Sequence, residues 1–117
     1  MSEIKRLKVG PRMSQAVIHG DLVYTAGQVA QSAPGESVAK QTAAILAEID
    51  ALLAEAGTDK SKLLTANIWL LDMADFDEMN GVWDAWVAPG QTPCRACVET
   101  PLAAPQYSVE IMVTAAL

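Results

Sequence analysis

The sequence predicts an α+β fold in which two helices cover one face of a mixed sheet. Three observations point there. Apolar residues alternate with a period of two near both ends of the chain, two stretches repeat them at intervals of three and four, and the order is strands, helix, strand, helix, strands. At 117 residues the chain is expected to form one domain spanning 1–117, because no repeat or low-complexity linker divides it. With 51% hydrophobic and 19% charged residues, the composition supports a packed core and excludes disorder.

Ile4 to Val9 and Gln15 to His19 read as strands, separated from Leu22–Ala26 by the turn signal Gly20-Asp21. The third strand is expected to end at Gly27-Gln28, and Ser32, Pro34 and Gly35 mark a loop. Ser37 to Ala56 is the clearest helix: Val38, Thr42, Ile45, Ile49, Leu52 and Ala56 share a face, and Gly57 is its stop. Leu64 to Leu71 reads as a strand with Leu64, Ala66, Ile68 and Leu70 on one side. Asp75 to Glu78 has the D-x-x-E spacing of a helix start, its carboxylates facing unpaired N–H groups. Met79, Val82, Trp83 and Trp86 form the second apolar stripe, broken by Pro89-Gly90. Cys94–Glu99 and Tyr107–Ala115 complete the strands, the latter with every odd position apolar.

Strand-helix-strand links favour parallel neighbours, and two helices cover only one sheet face. The other face is expected to carry Thr65, Asn67, Trp69 and Leu71, then Glu110 and Met112, then Arg95 and Cys97. Such a mixture is too apolar to stand in water as a patch, so a subunit interface is expected to cover it.

Charge narrows the function. Eight Lys and Arg against 14 Asp and Glu give a net charge of −6, which opposes binding to a phosphate backbone, so no nucleic-acid partner is expected. A local cationic pocket for a small anion remains compatible. No G-x-x-x-x-G-K-[ST] or G-x-G-x-x-G motif is present. The N-terminus lacks an apolar signal core and no run approaches the ~18 residues of a membrane span, so a cytoplasmic location and no membrane partner are expected. Cys94 and Cys97 are the only cysteines and His19 lies far upstream, which leaves four-ligand zinc unsupported and no metal expected.

Arg95 is the leading candidate for chemistry. A guanidinium within a short strand suits a carboxylate held by two parallel hydrogen bonds, and the plainer alternative is an ion pair with Glu99 or Glu110. Glu110, inside the last strand, is a candidate base or water-positioning group, with the same ion pair as its alternative. No histidine near Cys97 activates its thiol, so a small buried hydrophobe is the expected role. His19 reads as an exposed turn residue. Trp69, Trp83 and Trp86 read as core and interface packing rather than as a base-stacking set.

These residues also form a pattern. Gly10-Pro11, Ser14-Gln15-Ala16-Val17, Tyr24-Thr25-Ala26-Gly27-Gln28, Asp75-Phe76 with Asn80, Pro93-Cys94-Arg95-Ala96-Cys97-Val98-Glu99 and Val109-Glu110-Ile111 resemble the RidA (YjgF/YER057c-type) family from about residue 4 to the C-terminus. Asp75–Trp86 and Val109–Leu117 are most similar to its short, YoaB-like branch. The resemblance implies a chorismate-mutase-like (ferredoxin-like) α+β fold and a homotrimer with clefts between subunits. It implies hydrolysis of reactive enamines and imines, such as 2-aminoacrylate and 2-iminopropionate, to 2-keto acids and ammonia, without a cofactor. Arg95 matches the arginine that grips the substrate carboxylate, Cys97 the residue whose main chain assists, and Glu110 the glutamate that handles the attacking water. Gly27 and Asn80 match further cleft positions. Met13 stands where deaminating members commonly carry a tyrosine, and Ala26 where a serine is usual. Between Asn80 and Arg95 the chain is about two residues shorter than typical. Some members are labelled endoribonucleases or translation inhibitors, a reading the net charge opposes.

Overall fold

The computed structural model describes residues 3–117. Strand β1 (Ile4–Val9) pairs antiparallel with β2 (Ser14–His19), and β2 with β3 (Leu22–Thr25). A two-residue strand missing from the sequence reading, β4 (Gln28–Val29), follows after Ala26-Gly27. Helix α1 (Val38–Ala56) leads to β5 (Leu63–Leu70), and α2 (Phe76–Trp86) joins β5 to β6 (Cys94–Glu99) before β7 (Val109–Ala116). The sheet runs β1-β2-β3-β7-β5-β6, with β4 continuing along β7 beyond β3.

Among the described residues only β5 and β6 are parallel neighbours. The other strand-helix-strand crossing, through α1, leaves β3 and β5 parallel but with β7 antiparallel between them. The all-apolar set Val109, Ile111, Val113 and Ala115 accounts for that central place, since all four are buried under the helices.

Local chemistry sets the helix ends. The Ser37 hydroxyl accepts from the Lys40 N–H at the start of α1, and Gly57 closes it in the left-handed region at φ 92°. Ile45, Leu46, Ile49, Leu52 and Leu53 are fully buried against Ile68, Leu70, Ile111 and Val113. At about 1.5–3 kcal/mol for each such side chain, this layer is the main source of stability.

Three details depart from expectation. A register shift between Leu63 and Thr65 turns Leu64 outward, 43% exposed, and puts Leu63 in the core. The carboxylate of Asp75 makes no capping hydrogen bond for α2, whereas Glu78 Oε2 accepts from the Ala39 N–H at the start of α1, 2.9 Å away. Glu78 thus satisfies the other helix's unpaired N–H. Tyr107 lies before the last strand rather than in it.

The largest correction concerns β6. Its register pairs Arg95 with Ala66, Cys97 with Ile68 and Glu99 with Leu70, so all three lie on the helix side of the sheet. Cys94, Ala96 and Val98 share the open face with Thr65, Asn67 and Trp69. The physical reason is that β6 is the outermost strand. An edge strand projects beyond the helix layer, so a charged side chain on the covered face still reaches water, and polarity there does not reveal which face is which.

Candidate functional site

The candidate residues fall into two groups, one at the β6 edge and one where β3 hands over to β4. At the β6 edge, Phe76, Asn80 and Trp83 follow helical spacing i, i+4, i+7, which brings them to one face of α2. That face meets Arg95. Its Nη1 donates to Asn80 Oδ1 at 2.8 Å, and its guanidinium carbon stands 5.5 Å from the Trp83 ring centroid and 5.8 Å from that of Phe76. Neither ion pair considered from the sequence forms. Glu99 Oε1 accepts from the Met73 N–H at 2.8 Å, and Glu110 lies on the other face of the sheet. Among the described residues Arg95 has no carboxylate partner. A guanidinium carries five N–H donors, and Asn80 takes one of them.

Cys97 is half-buried against the core on the same side as Arg95. Burial pushes its thiol pKa up and Arg95 pulls it partly back, which keeps it protonated at neutral pH. Beside the start of β6 lies a hollow of about 300 Å³, bordered by Thr65, Asn67, Cys94 and Arg95.

The second group depends on a break in the ladder. Thr25 Oγ1 accepts from the Val113 N–H at 3.1 Å and donates to the Val113 carbonyl at 3.4 Å, serving β7 where the β3 backbone turns away. Gln28 Nε2 donates to Gln15 Oε1 at 2.9 Å and to the Ala26 carbonyl at 3.1 Å, which holds the turn. Gly27 sits at its apex, directly against the carboxylate of Glu110. A Cβ on Gly27 would stand 2.1 Å from Glu110 Oε2 and 3.0 Å from its Cδ. The glycine therefore leaves room for that carboxylate rather than serving an unusual φ. Glu110 is half-buried and makes no side-chain hydrogen bond or ion pair among the described residues. Met13, 54% exposed, and Gly27 line a cleft of about 510 Å³ with Gln15, Gln28, Gln31 and Ser32.

One chain does not bring the two groups together. Glu110 pairs with Trp69, and Trp69 with Val98, which places Glu110 two strands and three residues from Arg95. At ordinary sheet spacings that is about 14 Å between Cα atoms, with the side chains on opposite faces. The sequence reading missed the parts of Phe76 and Trp83 around Arg95. Their spacing with Asn80 was legible, but nothing local says what that helix face meets.

A family profile described as endoribonuclease L-PSP matches residues 3–117. A RutC family protein of Haemophilus ducreyi is 45% identical over 114 residues, covering 97% of each chain. The RutC family protein YoaB of Escherichia coli is 42% identical over 97% of this chain and 98% of its own. The crystal structure of NMB1025, a YjgF-family protein of Neisseria meningitidis, superposes with a TM-score of 0.94 at 52% identity, covering 97% of this chain and 94% of that one. With its two helices on one face of a mixed sheet and this full-length similarity, the chain belongs to the RidA/YjgF family.

Proposed function

We propose that this protein is a homotrimeric hydrolase of reactive 2-imino acids and their enamine tautomers, releasing a 2-keto acid and ammonia. The observation that carries the reading is Arg95: an oriented guanidinium with one side-chain acceptor, Asn80, and no carboxylate partner among the described residues. Arg95 and Glu110 are about 14 Å apart on opposite faces of one sheet. A three-carbon substrate spans both only if they come from different subunits, which favours a cleft between protomers.

In such a cleft Arg95 donates two parallel hydrogen bonds to the substrate carboxylate. A protonated imine is already electrophilic at carbon, so placing a water beside it supplies most of the required acceleration. Glu110 accepts a proton from that water as its oxygen bonds to the imine carbon and the C=N π electrons move to nitrogen. The proton then passes to the amine of the carbinolamine. Ammonia leaves as the C=O bond forms, and Glu110 takes the hydroxyl proton and passes it on to the departing ammonia, which is released as ammonium. Gly27 leaves room for the Glu110 carboxylate beside the β3–β4 turn, and the Cys97 main chain and Asn80 complete the carboxylate end.

A second reading, a trimer that binds 2-keto acids without turning them over, is favoured by the exposed thioether of Met13, which offers no proton donor on the cleft wall. Generating 2-iminopropionate in situ and following its decay separates the two. Wild type is expected to accelerate decay and Arg95→Ala to return it to the buffer rate, a loss of at least about 100-fold. Equal decay with wild type, variant and buffer rejects the hydrolase; thermal stabilisation by pyruvate that vanishes in Arg95→Ala would then establish the binding trimer.

A further inference from the structure

We propose that Phe76 and Trp83 are positioning residues that aim the Arg95 guanidinium, acting with Asn80 as a three-sided cradle on one face of α2. The inference rests on Arg95 being the carboxylate grip proposed above. An arginine on an exposed edge strand would ordinarily sample many rotamers, and a ligand would then have to order it on binding. Here two ring faces at 5.5 and 5.8 Å and the Asn80 oxygen at 2.8 Å restrain it beforehand.

The cradle is itself anchored. Trp83 is 4% exposed, and its ring lies 5.4 Å from that of Trp86. Trp86 Nε1 donates to Asp50 Oδ2 on α1 at 3.0 Å, and Glu78 ties α2 to the Ala39 N–H. Two polar links therefore hold α2 against α1, and the face that meets Arg95 moves with the core. The aromatic faces attract the cation without using its N–H groups, so orientation is gained while four donors stay free for a ligand.

The test uses the full-length chain with Phe76→Leu, which keeps apolar bulk but removes the ring face, and Phe76→Tyr, which restores it. Trp83→Phe serves as a second probe that retains a ring in the buried position. In ¹⁵N-labelled wild type, the Arg95 Nε–Hε resonance is expected to be ring-shifted. In Phe76→Leu it should move toward the ordinary arginine position. The KM for 2-iminopropionate and the Kd for pyruvate are expected to rise about fivefold in Phe76→Leu, with kcat within about twofold. Phe76→Tyr should return all three to near wild type. An unmoved Arg95 resonance with unchanged KM in an active Phe76→Leu overturns the positioning role and leaves the hydrolase reading standing. Should wild type neither turn over the imine nor bind pyruvate, that reading fails instead. The Arg95 resonance still decides the cradle: ring-shifted in wild type and displaced in Phe76→Leu supports it, while an ordinary position in wild type overturns it.

Discussion

The two charged residues at opposite ends of the proposed cleft are placed by opposite means. Arg95 is held by what surrounds it: an amide oxygen and two aromatic faces, all from α2. Glu110 is placed by what is missing, since it rests in space that any side chain at position 27 would fill. A long cation on an edge strand needs restraint, because its freedom would otherwise be lost on binding. A carboxylate within a central strand already has a fixed backbone, and what it needs is an open path to the cleft.

The largest expected effect tests whether the two ends meet across subunits. If the proposed trimer forms, the Arg95→Ala and Glu110→Gln proteins should each fall to the buffer rate of imine decay. Trimers assembled randomly from equal amounts of both should recover about a quarter of wild-type activity, because that share of clefts draws an intact residue from each neighbour. No recovery would mean that both groups serve the same chain's chemistry or none.

A smaller effect is expected from Gly27→Ala. The added Cβ meets the far end of a flexible side chain, so Glu110 swings aside at little cost to the fold. Activity should drop about tenfold, while the melting temperature stays within about 3 °C of wild type. A large fall in melting temperature would show that Glu110 is packed as rigidly as Arg95, and the contrast between them would disappear.

The smallest effect concerns Cys97. With its thiol pKa raised by burial, the thiolate is scarce at neutral pH and appears only above the ordinary thiol range. Iodoacetamide should therefore label Cys97 slowly at pH 7 and faster only as the pH rises. Cys97→Ser should keep imine hydrolysis within about twofold of wild type, since only the main chain of this residue is invoked. A loss of 100-fold would assign the thiol a chemical part.

Much of the fold could be read along the chain because its signals are local. The apolar positions of α1 are close together in sequence, as are Ser37 and Gly57 at its ends. Strict alternation in Val109–Ala116 identifies a strand with one buried side. By contrast, β4 spans two residues, too short for any period, and the Leu63–Thr65 irregularity shifts a face without changing composition. Among the candidate site residues, Arg95, Asn80, Cys97, Gly27, Glu110 and Met13 were legible as a pattern of types. Their division into two groups was not, because the face occupied by Arg95 depends on pairing with Ala66 on β5, almost thirty positions earlier.

Residue order alone was therefore enough for every element but β4, for the helix-covered layer and for the choice of candidate side chains, since periodicity, capping and donor chemistry act over a few neighbouring positions. Folding in three dimensions settled which way each of those side chains faces. Strand register and helix docking are long-range choices made by the whole core at once. They ruled out the alternative of an ion pair and left a restrained cation on one side of the sheet and, among the described residues, an unpaired carboxylate on the other.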